Sequence, residues 1–322
     1  MMKTVVKSAL LVGLMVFSLG LYAQSLTVAG EKFNQGTAQY KARNFAGAVK
    51  LYEEALKMCK SIGPDAADLQ SQVETQLGNS YFWNGISLYK KRAFDQAIAQ
   101  LKKAKAMAAQ TNNAKIKNYA HIYIARVYSS KGLSLIKEKK LDAAAQQFEL
   151  ALKEKPDCYN AYYGKVFLAK GKNDMAAMMA ATDHLAQMAA SNPKAGKRYG
   201  QAKYITFTTL LNAGAEQLQK MHPQKALQYL NDAKKYGTSN ADLFYYTAVA
   251  NLNLKKWDAA IAAAKKALSM QTSEKSDIYY TLGQAYQGKG NKTAACSAFK
   301  HVVKGPNVKA AQYQVKQVLK CK

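Results

Sequence analysis

Histidine and cysteine are the side chains of this chain best suited to metal binding, proton transfer or nucleophilic attack, and their spacing supports none of the three. The four histidines, His121, His184, His222 and His301, stand alone. No two of them lie four residues apart, and no acidic motif accompanies them to complete a zinc site. Each is expected to be a structural or surface group. The sequence also lacks a glycine-rich phosphate loop followed by Lys and Ser/Thr, a nucleophile elbow and a Cys-x-x-Cys pair. The expectation is a non-enzymatic protein with no catalytic residue, no cofactor and no metal site.

Positive charge is what the chain carries in quantity. Its 322 residues include 47 Lys+Arg against 20 Asp+Glu, a formal charge of +27. Only four of the basic residues are arginine, Arg43, Arg92, Arg126 and Arg198. That is a poor supply for reading base edges, where bidentate Arg contacts dominate, so specific nucleic-acid recognition is not expected. An apolar content of 49% suffices to bury a core, and 19 Gly with 5 Pro is too little for a disordered or collagen-like chain.

The N-terminus points to export. Lys3 and Lys7 precede an apolar run from Ala9 to Phe17, continued through Leu19, Gly20 and Leu21 to Ala23. This is the charged, apolar and small-residue order of a secretory signal over residues 1–23, with cleavage expected between Ala23 and Gln24. No Cys follows the run, so the lipoprotein route is closed. The ending Leu21-Tyr22-Ala23-Gln24 resembles the signals of exported Bacteroidetes proteins. Losing Lys3 and Lys7 with the signal would leave a charge of +25. No later stretch approaches the ~20 apolar residues of a spanning helix, so no transmembrane segment is expected after signal removal. A periplasmic or secreted protein follows.

The elements that must position any site are repeats. A small residue, an Ala twelve positions later and a third small residue seven beyond recur as Gly36/Ala48/Ala55, Gly85/Ala97/Ala104, Gly132/Ala144/Ala151, Gly164/Ala176/Asp183, Gly214/Ala226/Ala233, Ala248/Ala260/Ala267 and Gly283/Ala295/Val302. A large residue commonly lies three before the middle Ala (Phe45, Phe94, Leu141, Trp257) and another four after it (Tyr52, Leu101, Phe148, Leu230, Phe299). Paired antiparallel helices explain the pattern, because small residues on facing helices allow close backbone approach. In the fourth copy Asp183 replaces a packing Ala, and Met175, Met178, Met179 and Met188 are read as core filling of a degenerate repeat.

This pattern resembles the tetratricopeptide repeat (TPR) family. Its best copy is Tyr279-Tyr280-Thr281-Leu282-Gly283-Gln284-Ala285-Tyr286, continuing through Gly290 to Ala295 and Phe299. The resemblance implies an all-α, TPR-type α-solenoid of about seven helix pairs. Repeats 1–4 would occupy 29–190 and repeats 5–7 would occupy 207–309, with a capping helix over 307–322. Repeat starts near 29, 78, 125, 157, 207, 241 and 276 are spaced unevenly, against the family period of about 34. Extended first helices over Asp65–Leu77 and Ala114–Ile124 absorb part of the difference. Residues 191–206 read as a hinge at Ser191-Asn192-Pro193 followed by the start of a long helix.

On this frame Cys59 and Cys158 are too far apart to bridge. Cys296 and Cys321 lie on adjacent helices, with an overhang of about six residues or 9 Å at helical rise. They pair only if the tail curls back, and otherwise remain two thiols.

The resemblance also implies a concave groove lined by the first helix of each pair. The fifth position after the small residue is Lys41, Lys90 and Lys137 in repeats 1 to 3, and the fourth is Tyr40, Tyr89 and Ile136. Phe33 and Phe82 lie three before it. Phe33, Tyr40, Lys41, Phe82, Tyr89, Lys90 and Lys137 are therefore the candidate partner-binding residues. Aromatic anchors beside a Lys row suit a protein or peptide of an envelope assembly. The alternative is a basic adaptor for anionic envelope material, such as lipid head groups or acidic glycans. The Lys/Asn clamp of TPR domains that hold a C-terminal carboxylate is not reproduced, since its places carry Phe33, Thr37, Phe82 and Ser129.

Overall fold

A computed structural model describes residues 25–322. The signal expected over residues 1–23 and its cleavage site lie outside the described residues. The chain divides into two compact units, the first ending at Gly164 and the second beginning at Lys165. The first contains α1 (25–41), α2 (Phe45–Ile62), α3 (Ala67–Lys90), α4 (Phe94–Gln110), α5 (Ala114–Lys137) and α6 (Leu141–Glu154), and it includes the start of α7 (Tyr159–Gly171). The second contains the rest of α7, then α8 (Met175–Ala189), α9 (Pro193–Gln219), α10 (Pro223–Lys234), α11 (Ala241–Asn253), α12 (Trp257–Met270), α13 (Ser276–Gly288), α14 (Lys292–Lys300) and α15 (Val308–Tyr313). All are helices. Within each unit a helix packs chiefly on its sequence neighbours, and first helices of successive pairs also meet, as α3 with α5 and α11 with α13.

The repeated small and large residues are the contacts that hold five of the seven pairs. A Cβ added at Gly132 would come within 2.6 Å of the Phe148 ring, and one at Gly164 within 2.1 Å of the same ring. Phe148, fully buried, thus fills the gap between two successive first helices. Tyr52 against Gly36, Leu101 against Gly85, Leu230 against Gly214 and Phe299 against Gly283 repeat the arrangement at 2.7–2.8 Å. The glycine's partner is the large residue sixteen positions on. The middle and last small residues of these repeats, such as Ala48, Ala97 and Ala144, are fully buried beside it.

Each pair turns in one way. Arg43, Arg92, Lys139, Met221, Lys255 and Gly290 all lie seven residues after the first small residue, and all have left-handed backbone, with φ between 58° and 81°. The next N–H then donates five residues back, Asn44 to Gln39 and Lys140 to Leu135 at 2.9 Å each. That is the Schellman closure of a helix C-terminus. Only one of the six is Gly, although a left-handed L-residue costs roughly 1–2 kcal/mol.

Repeat 4 departs from the register expected of it. Its turn residue, Asn173 with φ 57°, comes nine rather than seven residues after Gly164, so two residues are inserted there. Met178 and Leu185, both fully buried, take the places read as Ala176 and Asp183. Asp183 is exposed instead, and its Oδ1 accepts the Tyr236 hydroxyl at 3.0 Å. The extended helices over 67–90 and 114–137 are present as α3 and α5. Ser191-Asn192-Pro193, expected to be a hinge, is the capped start of α9: Asn192 Oδ1 accepts from the Lys194 and Ala195 amides, and Pro193 is the first helical residue. It lies inside the second unit, where α8 packs on α9.

The C-terminal cap expected over 307–322 is α-helical only as α15, which ends at Tyr313, and continues as a short π-helix over Gln314–Val318. The Cys321 amide donates to Val315 O at 2.8 Å and Lys320 is left-handed, which curls the tail back. Cys321 is bonded to Cys296 with Cα atoms 5.8 Å apart. Ala311 and Leu319 seal the end against Ala295, Phe299 and Val302. Cys59 and Cys158 are free and buried.

Replacing Gly132 by Ala should lower stability by about 1–3 kcal/mol through overpacking against Phe148. A thermal melt followed by helical circular dichroism checks this, and an unchanged midpoint would remove the Gly132–Phe148 contact as the pair's fixing point.

Candidate functional site

Three adjoining cavities line the first unit where α1, α3 and α5 run side by side. The first, of about 670 Å³, lies between the ends of α1 and α3 and takes Tyr40, Lys41, Arg43, Phe45, Trp83 and Lys90 among its walls. The second, about 410 Å³, lies between the ends of α3 and α5 and is walled by Tyr89, Lys90, Arg92, Phe94 and Lys137 with Ser130 and Ser134. The third, about 530 Å³, lies between the second half of α3 and the start of α5 and is walled by Phe82, Trp83, Tyr119, Tyr123 and Lys115. Lys90 is shared by the first two, and Trp83 by the first and third.

The aromatic walls form one connected run. Tyr40 meets Phe45 edge-on at 5.4 Å, Phe45 stacks on Trp83 at 6.0 Å, and Trp83 meets Phe82 edge-on at 5.4 Å. Phe82 in turn stacks on Tyr119 at 6.2 Å and meets Tyr123 at 5.6 Å. Such offset and edge contacts hold the rings in place while leaving their outer faces free. Trp83 keeps 41% and Tyr119 45% of its surface exposed. Burial raises the Tyr40 hydroxyl above the ordinary tyrosine range, and a hydrogen bond from Trp83 opposes that shift.

The basic groups stand at the helix C-terminal end of this run. Lys41, Lys90 and Lys137 are exposed and end their first helices. Arg43 and Arg92 follow them because the left-handed turn comes two residues later. Arg92 lies over the Phe94 ring at 5.9 Å and its Nη2 donates to Ser134 Oγ at 3.5 Å, while the Tyr89 hydroxyl pairs with Ser130 Oγ at 2.9 Å. No carboxylate lines any of the three cavities. Part of the lysine charge offsets the helix C-terminal dipoles, and the arginines add to it.

Six of the seven residues singled out in the sequence line these cavities. Phe33 does not: its ring packs on Tyr52 at 5.7 Å inside the first pair. Phe82 is 3% exposed and so supports Trp83 and Tyr119 rather than offering a free face. Sequence reasoning missed Trp83, Tyr119, Arg43 and Arg92, and it took Phe45 and Phe94 as packing alone. The recurrence of Arg43 and Arg92 seven residues after Gly36 and Gly85 was a usable signal. The clamp positions are spent on packing: Thr37 Oγ1 meets the Tyr52 hydroxyl at 3.0 Å, and buried Ser129 donates to Ala125 O at 2.8 Å.

His121 Nδ1 lies 2.6 Å from Glu154 Oε1, which also accepts Lys105 Nζ at 2.7 Å, tying α4, α5 and α6 together. Among the described residues no group of three or more His, Cys, Asp or Glu is placed to hold a metal, and no helix is long and apolar enough to cross a membrane.

Two tetratricopeptide-repeat models match the chain, one over residues 125–158 and 276–304 and the other over 211–276. Among solved structures, the TPR2AB domain of yeast Sti1 is 16% identical, the match covering 91% of this chain and 97% of that one with a TM-score of 0.36. A tetratricopeptide repeat protein from Parabacteroides merdae is 14% identical, covering 93% of this chain and 100% of that one with a TM-score of 0.31. YrrB, described as a TPR protein with an unusual peptide-binding site, is 20% identical over 60% of this chain and 92% of that one, with a TM-score of 0.36. No curated protein matches the chain.

The basic lining has a direct optical test, because the chain has two tryptophans. In a Trp257→Phe variant, the ratio of iodide to caesium quenching of Trp83 should exceed that of free N-acetyltryptophanamide about threefold or more at low ionic strength, since local positive potential concentrates anions. A ratio equal to that of the free indole would contradict the potential assigned to these cavities.

Proposed function

We propose that this chain, which carries tetratricopeptide repeats, is a non-enzymatic scaffold that holds a partner protein or peptide along the cavities of its N-terminal unit. It works, in this reading, in the bacterial cell envelope after export through residues 1–23. Repeats of this family serve as protein-binding scaffolds, and the groove of this one has anchors of the kind that dominate interface energy. The observation that carries the reading is the connected aromatic run from Tyr40 to Tyr119, edged by Lys41, Arg43, Lys90, Arg92 and Lys137.

An extended partner segment fits this arrangement physically. Exposed aromatic faces held by their neighbours contribute burial at little entropic cost, and the basic rim speeds encounter with an acidic segment. The equivalent fifth positions of repeats 4 to 7 are Ala169, Gln219, Asn253 and Gly288. Gly288 is occupied by packing, since a Cβ there would meet the Trp257 ring at 2.8 Å. The N-terminal unit is therefore the better platform.

Changing Lys41, Lys90 and Lys137 together to Ala should leave helicity and melting nearly unchanged, because all three are exposed. Crosslinking capture of envelope partners at low salt should fall; capture of the same partners in the same yield would refute the groove reading. Separately, N-terminal sequencing of the cellular protein should begin at Gln24 in soluble envelope or secreted material. Intact Met1 in a membrane fraction would overturn the export reading and leave the groove untouched.

A further inference from the structure

The turns closing the first three helix pairs carry charge beyond what the cavities use. Over residues 41–47, 90–95 and 137–142 there are eight basic residues against three acidic ones. All eight are exposed. Five of them line the first two cavities, but Lys91, Lys139 and Lys140 lie outside any cavity wall described above. The acidic members are Asp95, paired with Lys131 at 2.5 Å, Glu138, paired with Lys140 at 2.9 Å, and Asp142. Exposed pairs of this kind leave most of the lysine charge available to a larger anion.

These three turns lie on one edge of the unit. Lys41 and Lys90 share one cavity and Lys90 and Lys137 the next, so neighbouring turns adjoin. The opposite edge, over residues 60–68, 110–117 and 153–159, has five basic residues against four acidic ones. The excess is thus directional and not only a share of the overall charge.

We propose that this basic edge of the N-terminal unit docks on an anionic phospholipid surface. The occupant is argued from shape and charge. A peptide held in the cavities reaches the five residues that line them, whereas a plane of phosphate groups reaches all three turns together, including Lys91, Lys139 and Lys140. Phe45, Phe94 and Leu141, the large apolar residues of these turns, are partly buried. No free apolar wedge is offered to a bilayer, so the contact is electrostatic and reversible by salt, acting within a Debye length of about 8–10 Å. This inference does not depend on the groove reading, since lipid docking draws also on Lys91, Lys139 and Lys140, which line neither cavity.

The test is co-sedimentation of the chain from Gln24 to Lys322 with vesicles of phosphatidylcholine alone or with phosphatidylglycerol, in 0.1 M and 0.5 M NaCl. Binding should be confined to the anionic vesicles and lost at the higher salt. A Lys91→Gln/Lys139→Gln/Lys140→Gln variant should bind those vesicles about a hundredfold more weakly. A Lys50→Gln/Lys57→Gln/Lys117→Gln variant, with the same change of charge at exposed sites off this edge, should lose much less. Equal loss in the two variants would reduce the effect to overall charge and overturn the proposal, as would absence of binding to anionic vesicles. Partner capture by the edge variant should remain at the wild-type level, so the two readings fail separately. Circular dichroism of both variants confirms that the helices are retained.

Discussion

The contact on which the rest depends is a large side chain of one helix pressed onto a glycine of the helix before it. Where Phe148 meets Gly132 and Gly164, no Cβ fits without displacing the ring. That sets how closely the backbones approach and which residues lie level across the pair. Because the partner is sixteen residues further on, each of the five pairs that has it is fixed by a contact that is local in sequence. Its energy comes from burial of one large apolar group per pair, on the order of 1.5–3 kcal/mol, and from the dense packing that small neighbours such as Ala144 and Ala151 allow. Repeating the contact builds each unit without any long-range pairing.

The cavities of the first unit are a consequence of that register. Once Gly36, Gly85 and Gly132 are placed at equivalent depths, the last turns of α1, α3 and α5 end level with one another. Lysines spaced five residues from each glycine then stand in a row. The left-handed turn two residues later brings Arg43 and Arg92 to the same place, against a conformational cost that a glycine would avoid. Gly290 shows the cheaper solution at the equivalent turn of the last repeat. The arginines are retained where aromatic rings, Phe45 and Phe94, stand beside them.

Charge and aromatic surface divide the work in this unit. Rings such as Trp83 and Tyr119 are held by neighbours and keep a free face, which favours close contact with a partner's side chains. The lysines and arginines act over longer range and are weakened by salt. The two kinds of group overlap at Lys41, Lys90 and Lys137, so a segment lying on the rings would also pass the charged rim. Lys91, Lys139 and Lys140 extend the charge away from the rings, along an edge that a flat anionic surface can meet.

The sequence by itself determined the helices, their pairing and the repeat, because the residues that make them are close in the chain and recur at constant spacing. The Gly, Ala and large-residue pattern needed no tertiary information, nor did the long α3 and α5, whose added turns contain no helix breaker. The lysine row was legible for the same reason. Tertiary structure decided what depends on direction and on small insertions. Two extra residues at Asn173 moved Met178 and Leu185 into the core and Asp183 out of it, a shift that an alignment on Ala176 conceals. The tail's return to Cys296 came from a short π-helix and a left-handed Lys320, which helical rise alone does not foresee. Trp83, Phe45 and Tyr119 became one surface only because neighbouring helices bring their rings within about 6 Å of each other, and Phe33 was withdrawn from it by packing on Tyr52. Spacing along a helix tells which residues share a face; which of those faces meets a neighbour, and which stays open, is settled by the packing of the next pair.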